Sequence, residues 1–116
     1  MSINMLVTEA LESLEIDVEF QTYSGDKVTY ITFFEYNNRP ERFSEDKEQQ
    51  NGNYIQVDYW TSNPVTYSQD VKKIKKSMVD AGFDFKNQRD LYEDETQIHH
   101  KALRFFILQN TEETEE

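Results

Sequence analysis

Residues 52–61 constrain the fold more than any other stretch. Ile55, Val57 and Tyr59 fall on one side of an extended chain, and Tyr54, Gln56, Asp58 and Trp60 fall on the other. This is the period-two pattern of a strand with one apolar face. Residues 29–37, from Thr29 to Asn37, are as rich in β-branched and aromatic residues. The two segments are expected at the centre of a sheet, with the rest of the chain covering one side of it.

Towards the N-terminus, Ile3, Leu6, Val7, Ala10, Leu11 and Leu14 recur at steps of three and four. That spacing predicts an amphipathic helix, capped by Ser2 or Asn4. Glu9, Glu12 and Glu15 lie on its outer side, where they oppose the helix dipole near its C-terminal end, so packing must hold the helix. Val18, Phe20 and Thr22 alternate with Glu19, Gln21 and Tyr23 as a first strand. Ser24-Gly25-Asp26-Lys27 is a turn signal, so strands one and two are expected to form a hairpin.

Periodicity dissolves from Asn38 to Asn51. An exposed, mobile loop is expected there, as either a functional element or a tolerated surface insertion. After the strand at 53–61 comes the breaker cluster Thr61-Ser62-Asn63-Pro64. Thr66 and Gln69 read as a capping box for a helix over 67–81, with an apolar stripe of Val71, Ile74, Met78 and Val79 and a stop at Gly82. Lys72, Lys73, Lys75 and Lys76 make a basic patch on this helix, either a solvated face or a docking surface for an acidic neighbour. Phe83, Phe85 and residues 88–93 suggest a fourth strand, followed by a turn at Asp94-Glu95-Thr96. Residues 98–109 are a long strand. Lys101, Leu103, Phe105 and Ile107 lie on one face of it and Ala102, Arg104, Phe106 and Leu108 on the other, as in a central strand or an edge covered by a partner.

The predicted class is α+β. An antiparallel, or mixed, sheet of about five strands carries two helices on one face, in the order α-β-β-β-α-β-β. Residues 1–110 form one domain containing the loop 38–51, and the acidic tail 111–116 is expected to be disordered.

Composition narrows the function. The net charge is −11, with 12 Lys and Arg against 23 Asp and Glu. That argues against a stand-alone nucleic-acid binder, which needs clustered cations. Its plain role is solubility, and a sharper one is to keep the surface from sticking to DNA. There is no cysteine, so disulfides, thiolate nucleophiles and zinc–cysteine sites are excluded. No window offers a membrane span, and the N-terminus lacks the pattern of a secretion signal. The chain has seven Tyr, eight Phe and one Trp, too many for all to enter one small core. Some are therefore expected to be exposed or in an interface.

Catalytic motifs are absent. Gly25, Gly52 and Gly82 are too far apart for a phosphate loop, and no nucleophile elbow is present. His99 and His100 are adjacent in a predicted strand, face opposite ways and cannot readily share a metal. Either could join Glu93, Asp94 and Glu95 in a weak hydrogen-bonded cluster across the turn. Asp58 lies on the Trp60 face, at solvent or paired across an interface. Glu35 and Asp58 on neighbouring strands offer a remote analogue of a glycosidase dyad. No catalytic, cofactor or metal site is expected, and the chain is not expected to be an enzyme.

The N-terminal helix with residues 18–25, the strands 29–37 and 53–60, the lysine-rich helix leading into Ala81-Gly82-Phe83, and His100 to Phe105 together resemble a family of small proteins of tailed bacteriophages and prophages. These are the tail-completion, or tail-to-head joining, proteins of long-tailed phages, related in fold to tail terminators. The resemblance spans residues 3–108 and rests on strand patterns.

The resemblance implies a structural virion protein, made in the host cytoplasm. It would complete the head-proximal end of the tail and join it to the head connector as a hexameric ring. Implied partners are further copies, the major tail tube protein and the head-completion protein, with a monomer before assembly and no membrane. DNA would pass the lumen without specific binding, and an acidic wall would repel phosphate over a screening length of about 10 Å. Ring closure needs a head-to-tail interface. The residues expected to supply contacts are Arg39, Arg42, Tyr54, Asp58, Trp60, Lys72, Lys73, Lys75 and Lys76. A rival reading is an acidic regulatory or inhibitor module, encoded by a phage or prophage, that imitates nucleic acid.

Overall fold

The computed structural model describes residues 2–41 and 50–110. The expected tail 111–116, Arg42 and most of the expected loop lie outside the described residues. Two helices lie on one face of a five-stranded mixed sheet, as the patterning predicted. The elements are α1 (Ile3–Leu11), β1 (Asp17–Phe20), β2 (Thr29–Glu41), β3 (Gln50–Thr61), α2 (Tyr67–Asp80), β4 (Asp84–Glu93) and β5 (Ile98–Asn110). Short 3-10 turns follow α1 at Glu12–Leu14 and precede α2 at Pro64–Thr66. The strand order is β1-β2-β3-β5-β4.

In the central strands the side that alternation marked as apolar is the buried side, whereas Phe20 of β1 is exposed. Ile31 pairs with Tyr59, Phe33 with Val57, Val57 with Leu103 and Ile55 with Phe105 across β2, β3 and β5. Ile3, Val7 and Leu11 of α1 and Val71, Ile74 and Met78 of α2 close over this surface, and Phe83 fills the core from the turn after α2. Each large apolar side chain removed from water contributes roughly 1.5–3 kcal/mol. That burial holds α1 despite its exposed glutamates. Ser2 caps α1 by accepting from the Met5 amide at 3.3 Å.

Four local expectations change. First, β1 and β2 are not a hairpin: they pair in parallel, Asp17 beside Tyr30 and Phe20 beside Phe33. Residues 21–28 carry the chain back along the sheet, so the Gly25 turn lies within a crossover and joins no antiparallel pair. The amide of Gln21, a residue with φ of 66°, donates to the Phe33 carbonyl at 2.9 Å.

Second, the expected loop at 38–51 is strand at both ends. Arg39 pairs with Gly52 and Glu41 with Gln50. Cross-strand polar contacts substitute for hydrophobic alternation there: Asn38 donates to the Asn53 side chain at 3.1 Å, and Arg39 to the Tyr54 hydroxyl at 3.2 Å. Pro40 is tolerated because β1 reaches only to Phe33, so this end of β2 is a sheet edge.

Third, Thr66 makes no capping bond to α2. Its hydroxyl donates to Asp70, while Asn63 caps the preceding 3-10 turn by accepting from the Val65 amide. Fourth, β4 is one strand over 84–93; it pairs with β5, which is interior, the central-strand alternative that its two apolar faces offered. The stop at Gly82 is as expected. Its φ is 106°, its amide donates to Val79, and that of Phe83 donates to Met78, the paired bonds of a Schellman motif.

Candidate functional site

The sheet face away from the helices carries an aromatic and polar surface, built by the same register that builds the core. Alternation sends Tyr30, Thr32, Tyr54, Gln56, Asp58, Trp60, His100 and Arg104 to this side. Tyr36 lies on the same side, and the β-bulge between Glu35 and Asn37 sets Asn37 opposite Tyr54.

At one end, four rings stack across the strands. Tyr23, from the β1–β2 crossover, lies flat on Tyr30 at 4.0 Å between centroids and 5° between planes. Tyr30 is 6.1 Å from Trp60, and Trp60 is stacked on His100 at 3.7 Å and 14°. The Trp60 indole N–H donates to Thr32 at 3.0 Å. Tyr23 is tied at its hydroxyl, which donates to Asp17 at 2.8 Å and accepts from the Lys27 amide at 3.1 Å.

A polar chain leads away from the stack. His100 Nε2 and Asp58 Oδ1 are 2.7 Å apart, and Gln56 donates to the same carboxylate oxygen at 2.8 Å. Arg104 Nε donates to the Gln56 carbonyl at 3.0 Å, and its guanidinium lies 4.4 Å over the Tyr36 ring. Tyr36, Tyr54 and Phe106 continue the surface, with Arg39 over Tyr54 at 5.5 Å. The side chains of Asp58 and His100 are only 6% and 12% exposed. Asp58 thus stands on the helix-free face, as alternation required, but its neighbours cover it. Its histidine partner also replaces the cluster expected across the 94–96 turn: His100 turns to Asp58, while His99 on the other face meets Tyr67 and Tyr92.

The register separates the other pairs considered from sequence. Glu35 lies opposite Ile55 on the helix side and Asp58 opposite Thr32 on the open side, so they form no dyad. Among the described residues, no group of three or more His, Asp or Glu side chains could hold a metal ion. No helix among them is long and apolar enough to cross a membrane.

A second polar cluster borders the core on the helix side. The Tyr59 hydroxyl donates to Asp70, which also accepts from Thr66 at 3.0 Å. Tyr67 donates to Asp90 at 2.7 Å, and the same carboxylate pairs with Lys101 at 2.9 Å. Burial pushes the Tyr59 and Tyr67 phenols well above their usual range, and the neighbouring carboxylates Asp70 and Asp90 add to it. The hydrogen bond from Lys101 holds Asp90 below the usual carboxylate value, and the bond from Tyr67 adds to that.

The residues singled out from sequence therefore divide. Arg39, Tyr54, Asp58 and Trp60 share the open sheet face. Lys72, Lys73, Lys75 and Lys76 lie on α2, across the sheet from them, and are exposed. Lys75 caps the Phe85 ring at 4.1 Å, and Lys76 pairs with Asp80 at 2.8 Å. Sequence reasoning placed Gln56 on this face with Tyr54, Asp58 and Trp60, and assigned no role there to Tyr23, Tyr30, His100 or Arg104. Tyr30, His100 and Arg104 are legible as members of that face once the strand register is known.

No family model and no curated protein matches the chain. Among solved structures, one chain of a "Virion of native gene transfer agent (GTA) particle" is similar to it with a TM-score of 0.67. The similarity covers 94% of this chain and 95% of that chain, at 11% sequence identity. The two share a fold along almost their whole length.

Proposed function

We propose that this chain is a structural protein of a phage-like virion, without catalytic activity. It completes the head-proximal end of a long tail and joins that tail to the head connector, acting as a hexameric ring. The observation that carries this reading is the near end-to-end correspondence of fold with a chain of a gene transfer agent virion. A partial likeness could reflect a common sheet motif, whereas this one covers 94% and 95% of the two chains.

The open sheet face supports the same reading. Its rings and arginines are held by cross-strand bonds, so the surface is preorganised, and aromatic and arginine side chains are the usual anchors of protein interfaces. Proposed partners are further copies of the chain, the tail tube protein and the head-completion protein. Passing DNA would be repelled by the net charge of −11 and not specifically bound.

Electron microscopy of particles assembled without this protein tests the proposal. Filled heads and separate tails that fail to join, or tails with abnormal ends, are the expected result. Normal joined virions refute it.

A further inference from the structure

On the open sheet face, beside the edge strand β4, lies a polar depression of about 270 Å³. Gln56, Asn87, Arg89, Leu91, Ala102 and Arg104 line it. The register explains its shape. Arg89 of β4 stands opposite Ala102 of β5, and Asn87 stands opposite Arg104. Ala102 has the shortest side chain of the six, so the floor drops between longer neighbours. Arg89 and Arg104 are diagonal neighbours across the two strands, with backbones roughly 7–8 Å apart, so both side chains can reach one group placed between them.

Two arginines and no acid line this depression, in a chain with 23 acids and 12 bases. Asp58, on the same face, is engaged by His100 and Gln56, and Glu93 accepts from Thr96. Asp84 stands at the start of β4, opposite Phe106. Arg104 is fixed before any ligand arrives: its Nε donates to Gln56 at 3.0 Å, and its guanidinium lies 4.4 Å over Tyr36. Gln56 is itself held by its bond to Asp58. Among the described residues, neither the Nη groups of Arg104 nor the Arg89 side chain has a hydrogen-bond or ion-pair partner. Like charges placed side by side on a sheet repel. An anion between them removes that repulsion and accepts their hydrogen bonds.

The surroundings select the kind of anion. The ring faces nearby are turned to one another or capped by cations: Trp60 on His100, Tyr36 under Arg104, Tyr54 under Arg39. Bases of single-stranded nucleic acid stack on free ring faces, which this surface does not offer them. Ring edges carry the positive part of the aromatic quadrupole and suit an anion. The planar guanidinium fork matches a carboxylate, and exposed Leu91 walls one side, where the methylene stem of an acidic side chain would lie.

We propose that this depression is a carboxylate-binding site, in which Arg89 and Arg104 together clasp one Asp or Glu side chain of a partner protein. The inference rests on the preceding reading for the existence of a partner protein. Its own evidence is the arginine pair and the floor between them.

Nuclear magnetic resonance of the purified chain tests it, with the arginine Nε–Hε signals followed during titration. The probes are a capped triglutamate peptide, a capped triglutamine peptide and an oligodeoxythymidylate with the same charge as the triglutamate. Triglutamate is expected to shift the Arg89 and Arg104 signals saturably at millimolar concentration, and triglutamine to leave them in place. Arg89→Gln breaks no bond among the described residues and is expected to weaken triglutamate binding at least about tenfold with unchanged stability. Ala102→Glu raises a carboxylate from the floor beneath both arginines and is expected to abolish the response. Unshifted arginine signals, an equal response to triglutamine, a response to oligodeoxythymidylate as strong as to triglutamate, or an Ala102→Glu chain that binds as wild type each overturns the inference. The titration contains no head or tail, so its failure leaves the place in the virion to the particle experiment, and virions that join normally without this chain leave the site standing.

Discussion

Nε2 of His100 lies 2.7 Å from Oδ1 of Asp58, although the two residues are 42 positions apart. The pair holds the imidazole under Trp60 and starts the polar chain through Gln56 to Arg104. Removing one partner leaves the other largely buried without its hydrogen bond, which costs about 1–3 kcal/mol. Asp58→Ala and His100→Ala are each expected to lower unfolding free energy by about 2 kcal/mol. The double variant is expected to fall short of their sum by about 1 kcal/mol, because the second change removes a group already stranded. Urea denaturation of the four proteins measures this. Additive losses would mean that the pair contributes no coupling.

On the helix side, Asp90 carries an acid-dependent share of stability. Its pKa is lowered in the folded state, first by Lys101 and then by Tyr67. A depressed carboxylate stabilises the fold above its unfolded pKa, and that contribution disappears as pH falls through the folded value. Asp90→Asn should therefore flatten the decline of stability below about pH 4. The effect should be modest, since the Asp90 side chain is 70% exposed and solvent screens the pair. Denaturation midpoints measured from pH 7 to pH 3 decide it: an unchanged acid limb would contradict the assignment.

Tyr59 and Tyr67 act at the other end of the pH scale. Both phenols are raised, chiefly by burial and secondarily by Asp70 and Asp90. A raised group contributes stability that is present below its unfolded pKa, near 10 for tyrosine, and is lost as pH climbs towards the folded value. Stability is thus expected to fall above about pH 10, with these two phenols ionising only as the chain unfolds. Tyr59→Phe should shallow that alkaline decline while losing the bond to Asp70. Spectrophotometric titration would refute this if all seven tyrosines ionised together near pH 10 with the fold intact.

The features legible in the sequence were those written in side-chain period. Ile55, Val57 and Tyr59, and Leu103 and Phe105, announced their burial because a strand exposes alternate residues to one environment. What the period does not encode is which strand lies beside which, or in which direction. The Gly25 turn is compatible with either a hairpin or a parallel crossover. It is the flat contact of Tyr23 on Tyr30, and the bond from Gln21 to Phe33, that accompany the parallel arrangement. The far end of β2 and the start of β3 escaped notice because Asn38 and Arg39 pair with Asn53 and Tyr54 through polar groups and show no apolar rhythm.

The open face illustrates the same boundary. Alternation placed Asp58 and Trp60 together on it. Only the register of β3 against β5 sets His100 opposite Trp60 and diagonal to Asp58, where one imidazole reaches both. His100 was readable as a strand residue facing away from His99. Its role was not, because that depends on a partner 42 residues distant.

The far end of the ring stack offers a test that separates local order from global stability. A Cβ added at Gly25 would lie 2.3 Å from the Tyr23 hydroxyl, inside any tolerable contact. Either the Tyr23 ring or the turn must move. Tyr23 is anchored by Asp17 and the Lys27 amide, so its displacement would break both bonds and unstack it from Tyr30. The crossover lies outside the core formed by α1, α2 and the sheet, and Tyr23 is not part of that core. Gly25→Ala is therefore expected to change the near-ultraviolet circular dichroism of the stacked rings strongly while lowering stability by only about 1 kcal/mol. Tyr23→Ala should give the same spectral change, and combining the two should add little, since the clash vanishes with the ring. A Gly25→Ala protein with an unaltered near-ultraviolet spectrum would show that Tyr23 does not hold this position on the stack.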